Sequence, residues 1–125
     1  MTDYSPPIED IEFLLNEVVD LGEICDLPGY EDVSSDLVSS VLIEAGKFAS
    51  GILAPLNKVG DIEGARLEND VVITPAGWRD AYRSFVDAGW ASLLLDKRYG
   101  GQGLPRLVGA AVQEMWDGAN MAFGL

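Results

Sequence analysis

The sequence predicts an all-α fold of about four to six helices. Apolar residues recur every three or four positions through four segments, and turn-forming or capping residues separate those segments. The one run that reads as extended, Val71-Val72-Ile73, is short. A chain of 125 residues with 48% hydrophobic content has room for one domain and a modest core.

The first helix is expected from about Ile8 to Glu23. Ile8, Ile11, Leu15, Val18 and Leu21 form its apolar stripe, with Leu14 beside them. Pro7 suits a first helical position, and Glu9 and Asp10 lie where the helix dipole favours acids. Leu27-Pro28-Gly29-Tyr30 reads as a turn. Ser34 or Ser35 then caps a second helix, with Val38, Val41, Leu42, Ala45, Phe48, Ala49, Ile52 and Leu53 as its stripe. Pro55 is expected to end or kink it. The polar, glycine-bearing stretch from Lys58 to Asp70 reads as a loop feeding Val71–Ile73. Thr74 as cap and Pro75 as first helical residue predict a third helix that buries Trp78, Tyr82, Phe85 and Val86 and ends at Gly89. Trp90 to Leu95 is a short apolar stretch of helix or strand, and a glycine-rich turn, Tyr99 to Leu104, follows it. Pro105 opens a fourth helix with Val108, Ala111, Val112, Met115, Trp116, Ala119 and Ala122 at helical spacing.

Composition removes several classes of function. A net charge of −13 disfavours nucleic acid and anionic membrane surfaces, both of which call for clustered Lys and Arg. One cysteine, Cys25, permits neither an internal disulfide nor a cysteine metal cluster, and it fits a reducing cytoplasm. Without histidine, Ser-His-Asp and Cys-His arrangements cannot form and a zinc site lacks its usual ligand. No uninterrupted run of about 20 apolar residues is present, and residues 1–5 carry no signal-peptide pattern.

Local motifs add little chemistry by themselves. Gly100-Gly101-Gln102-Gly103 lacks the GK[ST] ending and the strand context of a phosphate loop, so it reads as a tight turn. Asp61, Glu63, Glu68 and Asp70 lack the spacing of a calcium loop. Most acids lie on outward helix faces; Glu114, among Val112, Met115 and Trp116, is expected to be partly buried in a structural role. Trp78, Trp90 and Trp116 read chiefly as core aromatics. The end, Met121-Ala122-Phe123-Gly124-Leu125, would leave large apolar side chains exposed, each forgoing about 1.5–3 kcal/mol of burial. The expectation is a polypeptide cut from something larger, or one packing against a copy of itself.

Read as one string, AGWASLLLDKRYGGQGLPRLVGAAVQEMWDGANMAFGL (Ala88 to Leu125) resembles the N-terminal helical domain of acyl-CoA dehydrogenases. That family carries a P-E-x-[YF]-G-G-x-G-L turn followed by a helix with an E-x-x-x-x-x-[NS] run. Tyr99, Gly100, Gly101, Gly103 and Leu104 match, as do Glu114 and Asn120; Asp96-Lys97 stands where the family has Pro-Glu. Ala45 to Asp61 and Gly64 to Trp90 look like the long subgroup, which has an N-terminal extension.

The resemblance implies residues 1–30 as a helical extension and residues 31–125 as the family's N-terminal α-domain, truncated at its C-terminal end. It implies an FAD enzyme that removes a Cα proton from an acyl-CoA thioester with a glutamate while hydride passes to flavin. That glutamate and most FAD contacts would lie beyond residue 125, leaving no catalytic residue, no metal site and no tightly held FAD here. Asn120, Met121, Phe123 and Gly124 would fall on the acyl-pocket wall. Expected partners are the remaining domains, the acyl-CoA substrate and other copies in a homo-oligomer, without nucleic acid or membrane. Two alternatives stand beside it: a self-contained acidic helical module dimerising through Ala119 to Leu125, and the N-terminal domain of an acyl-CoA oxidase.

Overall fold

The computed structural model describes residues 4–125, so the reading of residues 1–3 lies outside it. The fold is all-α apart from one small hairpin. Its helices are α1 (Ile8–Phe13), α2 (Leu21–Cys25), α3 (Ser35–Phe48), α4 (Ala54–Glu63), α5 (Trp78–Asp87) and α6 (Arg106–Gly124). The hairpin pairs β1 (Arg66–Glu68) with β2 (Val71–Ile73) antiparallel, through Asn69 and Asp70 at positive φ.

The expected first helix is interrupted. After α1 comes a single π-helical turn, Leu14–Val18, and then Asp20 in the left-handed region at φ 56°. The wider turn inserts a residue and rotates later positions off the 3.6-residue stripe. Ile11, Leu15 and Leu21 therefore stay buried while Leu14 and Val18 face solvent, Val18 at 63% exposure. Asp20 restarts the helix as α2 by accepting the Glu23 N–H on its side chain at 3.3 Å.

Ser34 caps α3, its hydroxyl accepting the Leu37 N–H at 3.1 Å. Of the two outcomes expected at Pro55, an end or a kink, the structure excludes the end. A second π-helical turn, Ala49–Leu53, lies between α3 and α4, and the chain stays helical to Glu63. Pro55 has no N–H and its ring crowds the preceding turn, and a widened turn relieves both demands. Half of the expected loop at 58–70 is thus helix, ended by Gly64 at φ 65°.

Ser35–Glu63 is consequently 29 helical residues, long and apolar enough by length and composition to cross a bilayer. Leu42, Ala45, Ala49 and Leu53 on it are nonetheless fully buried in the core, which is how the central helix of a packed domain behaves. Gly51, in the π turn, is exposed and has nothing within 4 Å of an added Cβ. Gly51→Ala is expected to stabilise the fold by about 0.5–1 kcal/mol, measured as a raised urea midpoint at unchanged slope.

The helix α5 starts three residues later than Thr74 and Pro75 suggested. Glu63 reaches back to accept the Ala76 N–H at 2.8 Å, and Gly77 at φ 80° caps Trp78. Of its expected buried face, Phe85 packs on the core, whereas Tyr82 is 60% exposed and Val86 is exposed too; the fully buried residue of α5 is Ala81. Gly89 at φ 81° ends α5 as predicted, and Trp90–Ser92 and Lys97–Tyr99 are short 3₁₀ turns.

The core lies where the α3–α4 rod meets α6. Leu42, Ala45, Ala49 and Leu53 pack against Val108, Val112, Met115, Trp116 and Ala119. The N-terminal segment is laid across this rod and α6. Pro6 and Ile8 press on Gly46, and the Tyr4 ring presses on Gly118. Glu114 is exposed, correcting the expectation of partial burial, and its charge adds to burial in raising the Tyr4 pKa.

Candidate functional site

The helix α6 does not run straight to its end. At Asn120 the backbone is extended (φ −160°, ψ 87°), and a separate last turn follows. Asn120 Oδ1 accepts the Phe123 N–H at 3.2 Å, the geometry of a helix N-cap three residues ahead. Gln113 Nε2 donates to the Gly124 carbonyl and to Asp117 Oδ1, both at 2.9 Å, which ties the last turn back along α6. This reversal is why Ala122, expected in the α6 stripe, is exposed.

The turned-back end faces α5 and leaves a cleft of about 520 Å³ between them. Its walls are mostly aromatic: Trp78, Tyr82 and Phe85 from α5, and Trp116 and Phe123 from α6. Phe123 lies 5.9 Å from Trp78 and 5.8 Å, edge-to-face, from Phe85, centroid to centroid. Trp116 continues the set inward to Phe48 at 5.4 Å and Trp90 at 5.2 Å. Such tilted and edge-to-face pairs are the favoured arrangement for aromatic rings. Thr74, Arg79 and Gln113 add a few polar groups.

A second hollow of about 410 Å³ lies on another side of Trp78, next to Gly60 and Ala122. Trp78 is packed so closely on α4 that a Cβ at Gly60 would come within 2.6 Å of its ring. Its Nε1 is buried without a hydrogen-bond partner.

Of the predicted pocket residues, the structure brings Phe123 and Gly124 to the cleft. Asn120 is 1% exposed and sits behind the wall, with its Nδ2 donating to the Leu53 carbonyl at 3.2 Å. Met121 is 60% exposed and does not line the cleft. Sequence reasoning missed the opposite wall. Trp78, Tyr82 and Phe85 were read as a buried face, whereas among the described residues Trp78 and Phe85 are only partly buried and Tyr82 is exposed. The signal available was Tyr82 one turn after Trp78, with more large apolar surface than one neighbouring helix can cover.

The shifted carboxyls sit on other loops. Asp32 is held below the usual range by Lys97, Glu31 by backbone N–H groups led by that of Gly29, and Asp96 by Arg98. Asp96 and Lys97 also organise the glycine-rich turn. The Asp96 carboxylate accepts the Arg98 N–H at 2.8 Å, and Lys97 Nζ bonds Asp32 at 2.8 Å. Among the described residues, no group of three or more Cys, Asp or Glu side chains is placed to hold a metal. The cleft can accept an apolar group and orient it against the aromatic side chains that line it.

No family model matches the chain. Across 98% of its length it is 42% identical to a 3-methylmercaptopropionyl-CoA dehydrogenase of Ruegeria pomeroyi. It is also 27% identical to a butyryl-CoA dehydrogenase of Syntrophomonas wolfei over 94% of its length, and 27% identical to a broad-specificity linear acyl-CoA dehydrogenase of Mycobacterium tuberculosis over 98%. The chain belongs to the acyl-CoA dehydrogenase family. It spans about a fifth of the length of these relatives, 21%, 20% and 20% respectively. The turn that carries the acyl-CoA dehydrogenase resemblance, Tyr99 to Leu104, is held tightly here. Gly100 and Gly103 take positive φ, Gly103 N–H bonds the Leu95 carbonyl at 2.9 Å, and Leu104 N–H bonds that of Leu93 at 3.1 Å.

Proposed function

We propose that this chain is the N-terminal α-domain of an FAD-dependent acyl-CoA dehydrogenase, with residues 1–30 its extension, and that the cleft under Phe123 is one wall of the acyl pocket. The observation that carries the reading is the aromatic cleft itself, built by the same last turn of α6 that the family resemblance assigns to the acyl group. Burying an alkyl chain stabilises its complex by about 0.8 kcal/mol per methylene. A pocket with rigid walls makes that gain depend on chain length.

The chain's own share of the chemistry is to seat the acyl end, fix its depth and exclude water. FAD would accept the hydride in the complete polypeptide. The cleft's few polar groups do not suit the ribityl and pyrophosphate parts of that cofactor, so FAD is assigned to the remaining domains. The other domains, the acyl-CoA and further copies of the polypeptide are its partners in this reading, and the cytoplasm its location.

The Ruegeria pomeroyi relative is named for an acyl group that ends in a thioether. Sulfur against aromatic rings gains about 0.3–1.5 kcal/mol. The five rings of this cleft therefore suit a short acyl group carrying sulfur near its end. In the complete polypeptide, kcat/KM for 3-methylthiopropanoyl-CoA is expected to exceed that for pentanoyl-CoA, its carbon isostere, about two- to ten-fold.

Phe123→Ala tests the site. Removing the ring deepens the cleft, so the kcat/KM ratio of octanoyl-CoA to butanoyl-CoA is expected to rise by about ten-fold or more, since a methylene in such a pocket is worth about 1–3 kcal/mol. An unchanged chain-length profile removes Phe123 from the acyl pocket.

A further inference from the structure

Asn120 is the one buried polar residue among the described residues, and both ends of its amide are used. Nδ2 donates to the carbonyl of Leu53, the last residue of the π turn that carries the rod past Pro55. Oδ1 holds the Phe123 N–H, so one planar group spans from the central rod to the residue whose ring walls the cleft. The position needs a donor and an acceptor on a short side chain. Aspartate offers no donor when ionised, and serine is too short to replace both ends of the amide.

The break in α6 gives this contact its leverage. Because Asn120 is extended, the last turn is not held by the continuous helix ladder. Two side chains hold it instead: Asn120 from the core side and Gln113 through the Gly124 carbonyl. The Gln113 link is exposed, whereas the Asn120 bond to Phe123 is part-buried and its bond to Leu53 is buried, where a lost hydrogen bond is not replaced by water. A rotation of the last turn would carry the Phe123 ring along the faces of Trp78 and Phe85 and change the depth of the cleft.

We propose that Asn120 is a specificity-setting positioning residue: by clamping the last turn of α6 to the Leu53 carbonyl, it fixes how far the Phe123 ring enters the cleft, and so which acyl lengths fit. This rests on the reading that the cleft takes the acyl chain. It assigns Asn120 a place behind the pocket wall.

The test uses Asn120→Ser and Asn120→Ala in the complete polypeptide, with two readouts. The first is the ratio of octanoyl-CoA to butanoyl-CoA kcat/KM, and the second is hydrogen exchange of the peptide containing residues 121–125, followed by mass spectrometry. Serine keeps a cap acceptor for the Phe123 N–H but loses the Leu53 link. It is expected to leave exchange near wild type while raising the ratio about three-fold. Alanine loses both links, and about ten-fold faster exchange with a ratio shift approaching that of Phe123→Ala is expected. If Phe123→Ala changes the length profile and neither Asn120 variant does, the positioning role is overturned while the acyl reading stands. If Phe123→Ala itself changes nothing, the acyl reading fails, and the exchange data alone then judge whether Asn120 clamps the turn. Loss of the folded enzyme in both Asn120 variants would also overturn the proposal, because it would make Asn120 a residue of general stability.

Discussion

Trp116→Ala is expected to lower the stability of the fold by about 3–5 kcal/mol, which in a domain of this size means a fall in Tm on the order of 10–20 °C. Trp116 is buried and sits at the centre of the aromatic set, in contact with Phe48, Phe85 and Trp90 at centroid distances of 5.4, 6.0 and 5.2 Å. Truncation removes three edge-to-face partners together with a large area of burial. The hole would open into the cleft that Trp116 also lines, so the neighbouring rings could fill it only by leaving the wall. Because marginal stability is typically about 5–15 kcal/mol, the loss is a large share of the total. Urea unfolding followed by far-UV circular dichroism reads it directly. A change under about 1 kcal/mol would mean that the rings are not packed as described.

Gly101→Ala is expected to be of similar severity, about 3 kcal/mol or more. The Gly101 N–H bonds the Asp96 carbonyl at 3.1 Å, and the backbone approaches Leu95 so closely that an added Cβ would overlap the Leu95 carbonyl. The obstacle is backbone, which cannot rotate aside as a side chain can. Relief would cost the bonds from Gln102 N–H to Ser92 and from Gly103 N–H to Leu95 that hold the turn. Gly100→Ala is the control. Its φ of 84° is strained for alanine, but the space is open, so about 1–2 kcal/mol is expected. Equal effects for the two would show that close approach is not what Gly101 is for.

Local features were legible in the sequence. The Ser34 cap, the stripe of α6 from Val108 to Ala119 and the end of α5 at Gly89 each depend on residues within a turn or two of one another. Features settled at a distance were not. Thr74 and Pro75 looked like a helix start, but Glu63, 13 residues earlier, takes the Ala76 N–H and shifts the start to Trp78. The π turns have no sequence pattern of their own, so the exposure of Val18 went against periodicity, and the continuation of the helix past Pro55 could not be told in advance from an end there.

The candidate site divides in the same way. Phe123 and Gly124 were reached through family resemblance, as positions on one helix. The facing wall depends on how α5 packs, and the role of Asn120 depends on a carbonyl 67 residues away. Neither relation can be read from spacing along the chain.

The central claim is that an acyl chain ends against the aromatic wall beneath Phe123. An acyl-CoA with a diazirine at its distal end, photolysed in the complete polypeptide, tests it most directly. The label is predicted on the peptides that contain Phe123 and the Trp78–Phe85 face of α5. Labelling confined to other peptides, with both of those unmodified, would contradict the account.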